Sequence, residues 1–153
     1  MTMQAELEAL LVEMGEFLEA RGLGPVDLYL LGGCALILFD DRAGATKDLD
    51  AVAEALTSSS PDAAALLAQT FGKGSGRQPY LDPVTGGLPP LPSGWKGRSA
   101  PRRSPARAIQ LWSLDFADLI VSKLRRWLPR DRDDIRHICD RHPDVRERLA
   151  AVC

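Results

Sequence analysis

The sequence predicts an α/β (α+β) protein: a small mixed sheet flanked by helices, with more helices at its C-terminal end. Three observations predict it. A strand, a Gly-Gly turn, a short apolar helix and a second strand follow one another between Val26 and Val52. Segments with helical apolar spacing stand before and after this unit. Strand–helix–strand–helix order is the pattern of a sheet covered by helices.

The elements follow in order. Residues 3 to 21 carry Leu7, Leu10, Leu11, Met14, Phe17 and Leu18 at helical spacing, with acids on the outer face. Gly22, Gly24 and Pro25 end that helix. Its bland reading is a packing helix behind the sheet; the alternative is a partner-binding surface. Asp27 to Leu31 is the first strand, and Cys34 to Phe39 a short buried helix. Asp40 to Gly44 is a polar turn, and Asp48 to Val52 the second strand. Alternation along a strand puts Asp48 and Asp50 on one face and Leu49 and Ala51 on the other. Ser58-Ser59-Ser60-Pro61 starts a helix that runs over Ala63 to Phe71.

Composition changes over residues 72 to 107. Glycine, proline (Pro89, Pro90, Pro92) and basic residues dominate, and Asp82 is the single acid. We expect short strands near Gln78 to Leu81 and Arg107 to Trp112, joined by long loops. Such a loop is either functional or plain flexible chain. Its cations, with Tyr80 and Trp95, offer a nucleic-acid contact as one reading and a solvated loop as the other. Leu114 to Leu128 reads as a helix with Phe116, Leu119, Ile120, Lys123, Leu124 and Trp127 on one face. Lys123 thus lies on an apolar stripe, where it must reach water or meet an anion. After Pro129, a last helix opens with Arg130-Asp131-Arg132-Asp133-Asp134. Asp131 and Asp133 read as solvated charges at the helix start. Asp134 lies one turn before Ile138 on the inner face. His137 and His142 have no metal-ligand spacing and read as surface or helix-end residues.

With 153 residues, 45% hydrophobic and 26% charged, the chain has the make-up of one globular domain over residues 1–153. A net charge of −2 gives no whole-molecule attraction to nucleic acid, so any such contact must be local. Cys34, Cys139 and Cys153 form neither a metal nor a disulfide pattern, which fits a reducing compartment. The first residues carry Glu6, Glu8 and Glu13 without a long apolar run, and no stretch approaches the roughly 20 apolar residues that span a bilayer. A cytoplasmic protein with no membrane partner is expected.

The chemistry concentrates around Gly32-Gly33 and Asp48-Leu49-Asp50. Two carboxylates on one strand face repel unless a cation sits between them, and hard oxygen ligands suit Mg2+ (or Mn2+). A glycine pair opening a helix lets backbone N–H groups approach a phosphate. A phosphate seat beside a metal seat points to a nucleoside triphosphate. These residues, with Asp118-Leu119-Ile120, Lys123-Leu124, Arg130 and Asp134-Ile135, resemble the nucleotidyltransferase superfamily with the polymerase-beta-like fold. The downstream part is similar to the abortive-infection and toxin–antitoxin type enzymes. Cys34 stands where many members have serine.

The resemblance implies transfer of a nucleoside monophosphate from a triphosphate to RNA (tRNA) or to a protein hydroxyl, and a toxin with an antitoxin partner. It implies catalytic Asp48, Asp50, Lys123 and Asp134, metal on Asp48 and Asp50, and nucleotide contacts by Gly32, Gly33, Arg42 and Lys123. Arg42 reads as a cation that reaches a phosphate or steadies the Asp48–Asp50 pair, and otherwise as a solvated loop charge. Members usually add a third strand carboxylate. The strand at 107–112 has none, leaving Asp82, Asp115 or the Lys123–Asp134 pair to fill the role. The competing expectation is a non-catalytic nucleotide-binding or regulatory module with the same fold.

Overall fold

The computed structural model describes residues 1–85, 91–124 and 127–152. Cys153, Pro89 and Pro90, singled out above, lie outside them, as do residues 125 and 126 of the long helix expected at 114–128.

The chain starts with α1 (Met3–Glu19), capped by the Thr2 hydroxyl, which accepts from the Ala5 N–H at 3.1 Å. Its apolar stripe of Leu7, Leu10, Leu11, Met14 and Leu18 is buried. Strand β1 (Val26–Leu31) passes directly into α2 (Gly32–Phe39), and β2 is Asp48–Val52. Next come α3 (Ala53–Ser59) and α4 (Pro61–Phe71). Helix α4 starts as its serine–proline signal requires: Ser60 Oγ accepts from Ala63 N at 3.3 Å, and Pro61 takes the first turn.

The two short strands expected near 78–81 and 107–112 are β3 (Tyr80–Val84) and β5 (Ile109–Ser113), and the stretch between them, expected to be loop, also holds a one-turn α5 (Trp95–Arg98) and β4 (Ala100–Arg102). Strand β4 has only three residues, one of them proline, so propensity does not reveal it. It lies at the sheet edge, where Pro101 lacks no needed donor. The long helix expected at 114–128 is instead α6 (Phe116–Leu124). Trp127 has a positive φ of 49° and is exposed rather than on the inner stripe. Two helices close the described chain, α7 (Pro129–Arg141) and an unexpected α8 (Val145–Val152).

The sheet order is β3-β2-β1-β5-β4. The β1–β5 and β2–β3 pairs are parallel; β1–β2 and β4–β5 are antiparallel. This is the small mixed sheet flanked by helices. Leu49, Ala51 and Leu81 are fully buried, while their neighbours Asp48, Asp50 and Asp82 are only partly so. One sheet face therefore enters the hydrophobic core, and the other carries the acids. Helices α3, α4 and α2 pack against β1, β3 and β2 respectively. Among the described residues, no helix is long and apolar enough to cross a membrane.

Candidate active site

The parallel β2–β3 register sets Asp50 directly beside Asp82, with Asp48 two residues back on the same face. One carboxylate oxygen from each of Asp48, Asp50 and Asp82 lies within 4.8 Å of the others. Thr46 Oγ1 donates to Asp48 Oδ1 at 3.1 Å and fixes its rotamer. Burial and the Asp48 charge push the Asp82 carboxyl above its ordinary value, while Lys73 and a hydrogen bond with Asp50 pull the other way. Three carboxylates this close, one already resisting ionisation, fit a hard divalent cation such as Mg2+ or Mn2+. Asp82, rather than any residue of β5, thus supplies the third acid. Asp115 does not join: it accepts from Arg148 at 3.1 Å and from the Ala117 N–H at 3.1 Å.

The glycine corner meets this group. Gly32 has a φ of +73°, and a Cβ there would collide with the Asp50 carboxylate. Only glycine satisfies both the left-handed turn and the close approach. Helix α2 begins at Gly32, and its first turn has no side-chain cap. Its free N–H groups and positive helix end suit an anion. Cys34 turns away from the cleft: its thiol is fully buried, donates to Leu31 O at 3.1 Å, and is raised by burial and by Asp50. It behaves as a core residue: its thiol is directed to the backbone carbonyls of Leu31 and Asp50, and it does not line the cleft.

A second wall faces the acids across a cleft of about 560 Å3, lined by Gly32, Gly33, Arg42, Asp48, Asp50, Asp82, Lys123, Arg130, Asp131 and Asp134. Lys123 of α6 is only 4% exposed, and its Nζ donates to Asp134 Oδ2 at 2.8 Å. The other Asp134 oxygen accepts from Arg42 Nε at 3.2 Å. Arg42 therefore steadies Asp134, not the Asp48–Asp50 pair. Gly33 looks toward the same carboxylate, 4.0 Å from where its Cβ would be.

Asp131 corrects the expectation of a solvated helix-start charge. It is 0% exposed. Its Oδ2 accepts from the Leu128 N–H at 2.9 Å, capping α7, and its Oδ1 lies 4.0 Å from Lys123 Nζ. Its place three residues past Leu128, in the first turn after Pro129, was the available signal for a cap. Asp133 is exposed, as expected.

The histidines also have a partner that spacing alone did not reveal. His137 and His142 each place Nε2 2.9 Å from a different oxygen of Asp40, which is 5% exposed, and Arg141 Nε is 3.4 Å away. This cluster ties the end of α2 to the end of α7. In the basic run, Arg98 is engaged by the fully buried Asp118 at 2.8 and 3.0 Å, and Trp95 packs edge-on against Tyr29 with centroids 5.3 Å apart. Both are structural contacts, so the run is less free than composition suggests.

Gly32, Gly33, Arg42, Asp48, Asp50, Lys123 and Asp134 thus line one cleft, joined by Asp82, Arg130 and Asp131. No curated protein and no solved structure matches the chain. Residues 5–139, most of the chain, match a family model described as "Nucleotidyltransferase of unknown function (DUF6036)". With the acid strand, the glycine corner and the lysine wall all inside that match, the chain belongs to this nucleotidyltransferase family of unknown function.

Proposed function

We infer that residues 1–153 act as one domain that moves a nucleoside monophosphate from a nucleoside triphosphate to a hydroxyl of RNA, such as tRNA, or of a protein. The observation that carries this reading is the convergence of three carboxylates within 4.8 Å on a glycine corner that a single methyl group would obstruct. Asp48, Asp50 and Asp82 would hold Mg2+ or Mn2+, which supplies charge neutralisation at the phosphates and a more acidic acceptor hydroxyl. Gly32 and Gly33 seat a phosphate on the uncapped N–H groups of α2. Lys123 and Arg42 turn from Asp134 toward the polyphosphate and neutralise it. Asp134 holds both cations in the empty cleft and, once they have turned to the nucleotide, is the carboxylate we assign to take the acceptor proton. The acceptor oxygen bonds to the α-phosphorus as pyrophosphate leaves.

The similarity around Lys123 and Asp134 supports a toxin role, acting in the cytoplasm and held by an antitoxin. The second reading, a non-catalytic nucleotide-binding or regulatory module, draws on one observation: the Lys123 ammonium is already engaged by Asp134 and must be released by any nucleotide. The deciding experiment incubates the protein with each α-labelled triphosphate, Mg2+, total tRNA and cell extract. Label on a macromolecule with wild type, and none with D48A or D50A, supports the transferase. Nucleotide binding without any transfer supports the module.

A further inference from the structure

From Leu91 to Leu114 the chain carries five cations and no acid. Arg98 is spent on the buried Asp118. The other four, Lys96, Arg102, Arg103 and Arg107, are exposed. Arg102 and Arg107 frame a second cavity of about 440 Å3, together with Ser104, Gln110 and Trp112. It lies at the β4 edge of the sheet, the edge opposite β3. Strand β4 pairs with β5 only from Leu111 to Ser113, so β5 runs on past it at Ile109 and Gln110, and both line the cavity.

The group is held in place and carries a surplus of positive charge. Arg102 Nε donates to Ser113 Oγ at 2.9 Å. The Trp112 ring stacks on Tyr29 with centroids 5.2 Å apart, and Lys96 Nζ lies 5.5 Å from the Tyr29 ring. Two acids contact these residues. Glu19 lies 4.0 Å from Arg107, whose side chain is 95% exposed, and Asp27 accepts from Trp112 Nε1 at 3.2 Å. Four exposed cations thus face two acids.

Strand register puts the aromatic wall of this cavity on the catalytic side of the sheet. Asp50 pairs with Leu31 and Trp112 with Tyr29, and Leu31 and Tyr29 stand two residues apart on β1. Trp112 therefore shares the face of Asp48, Asp50 and Asp82. Two strand spacings across and two residues along separate Asp50 from Trp112 by about 12 Å. One strand of nucleic acid advances about 3.4 Å per nucleotide, so about four nucleotides cover that distance.

The same residues select the occupant. An extended peptide is poorly served, because a three-residue edge strand with a proline and an arginine resists strand addition. Exposed guanidinium groups around a cavity with an aromatic wall suit phosphates and a base.

We propose that the β4–β5 edge anchors a single-stranded nucleic acid. Arg102, Arg103 and Arg107 carry its phosphates, and the cavity seats one unpaired nucleotide against Trp112. The proposal rests on the nucleotidyl-transfer reading only in making the bound strand the acceptor, which it narrows to a nucleic acid rather than a protein.

The test measures fluorescence anisotropy of a labelled single-stranded RNA of about twelve nucleotides, a length that one to a few binding platforms cover. Binding of ATP with Mg2+ is measured on the same proteins. Wild type is expected to bind the RNA, and R103A/R107A, a change confined to exposed side chains, to bind it more weakly. Two lost phosphate contacts at about 0.7 each should flatten the slope of log affinity against log salt by about 1.4. E19Q removes the acid beside Arg107 and is expected to tighten RNA binding. RNA is expected to quench the indole fluorescence of wild type and to quench W112F less, since phenylalanine keeps a ring in the Tyr29 stack. ATP–Mg2+ affinity is expected to be equal in wild type, E19Q and R103A/R107A.

Equal RNA affinity and equal salt slope in wild type and R103A/R107A overturn the proposal, as does a wild type that ignores RNA at low salt. E19Q that binds RNA no more tightly than wild type also counts against it. An acidic peptide that binds more tightly than RNA and is lost in R103A/R107A overturns it in favour of a protein partner. RNA binding by a protein that takes up no ATP–Mg2+ removes the transfer reading and leaves the nucleic-acid surface standing.

Discussion

Gly32→Ala probes the point where the two halves of the site meet. A Cβ at residue 32 faces two separate penalties. At φ +73° an alanine adopts the left-handed region, at a cost of about 1–2 kcal/mol. The Cβ also strikes the Asp50 carboxylate, which is the movable end of a side chain. The cheaper relief is rotation of Asp50 away from Asp48 and Asp82. The fold should therefore survive with a Tm lower by about 2–8 °C, the range for a chain of this size. Nucleotide binding should suffer far more, because a shift of about 1 Å in a positioned group costs on the order of 100-fold. Calorimetric melting and titration with ATP–Mg2+ measure the two effects separately.

Gly33→Ala is the control for stability. Its Cβ has 4.0 Å of clearance from Asp134 and no positive φ, so its Tm should equal or slightly exceed that of wild type. A G32A protein that melts like wild type and binds ATP–Mg2+ as tightly would refute the idea that the glycine is required by the carboxylate behind it.

Three further outcomes are expected. Asp82 binds its proton more tightly in the folded chain than in the unfolded one, so its charge opposes folding once ionised. D82N should thus raise the Tm at neutral pH. The gain should fade as the pH drops toward the ordinary aspartate value of 3.8, and Mg2+ should stabilise wild type more than D82N; melting curves over pH with and without Mg2+ check both points. K123M should cost toward the lower end of about 3–5 kcal/mol, because Arg42 still compensates Asp134. In a double-mutant cycle with D134N, denaturant unfolding should show a coupling of about 1–3 kcal/mol; simple additivity would argue against the buried pair. D40N, which removes the charge shared by His137, His142 and Arg141, should lower stability by about 2–3 kcal/mol, and an unchanged urea midpoint would show that the α2–α7 tie is idle.

What was legible in the sequence was what depends on local chemistry. Asp48 and Asp50 share a face because strands alternate, and the glycine pair announces a turn that no other residue makes cheaply. The serine–proline start of α4 is likewise local. Asp82 was legible as one of several candidates for the third carboxylate, beside Asp115 and the Lys123–Asp134 pair. Its role needs the parallel pairing of β3 with β2, a long-range register that no short-range pattern encodes. Asp131 escaped because its burial depends on how α6 and α7 fold back on each other. An acid in the first turn of a helix looks the same whether it faces water or a lysine. The three-residue β4 and the short, polar α8, with only Val145 fully buried, carry too little periodicity to be seen. His137 and His142 looked idle because their partner is one aspartate on a distant helix end.

The most direct measurement is the electron paramagnetic resonance of Mn2+ titrated into the protein with a non-hydrolysable ATP analogue. Wild type should show manganese bound in an anisotropic, protein-held environment, and D48N, D50N and D82N should each lose most of that signal. Manganese that stays bound in D50N, or that never binds wild type in the presence of nucleotide, would contradict a metal–polyphosphate site at the meeting of β2, β3 and the glycine corner.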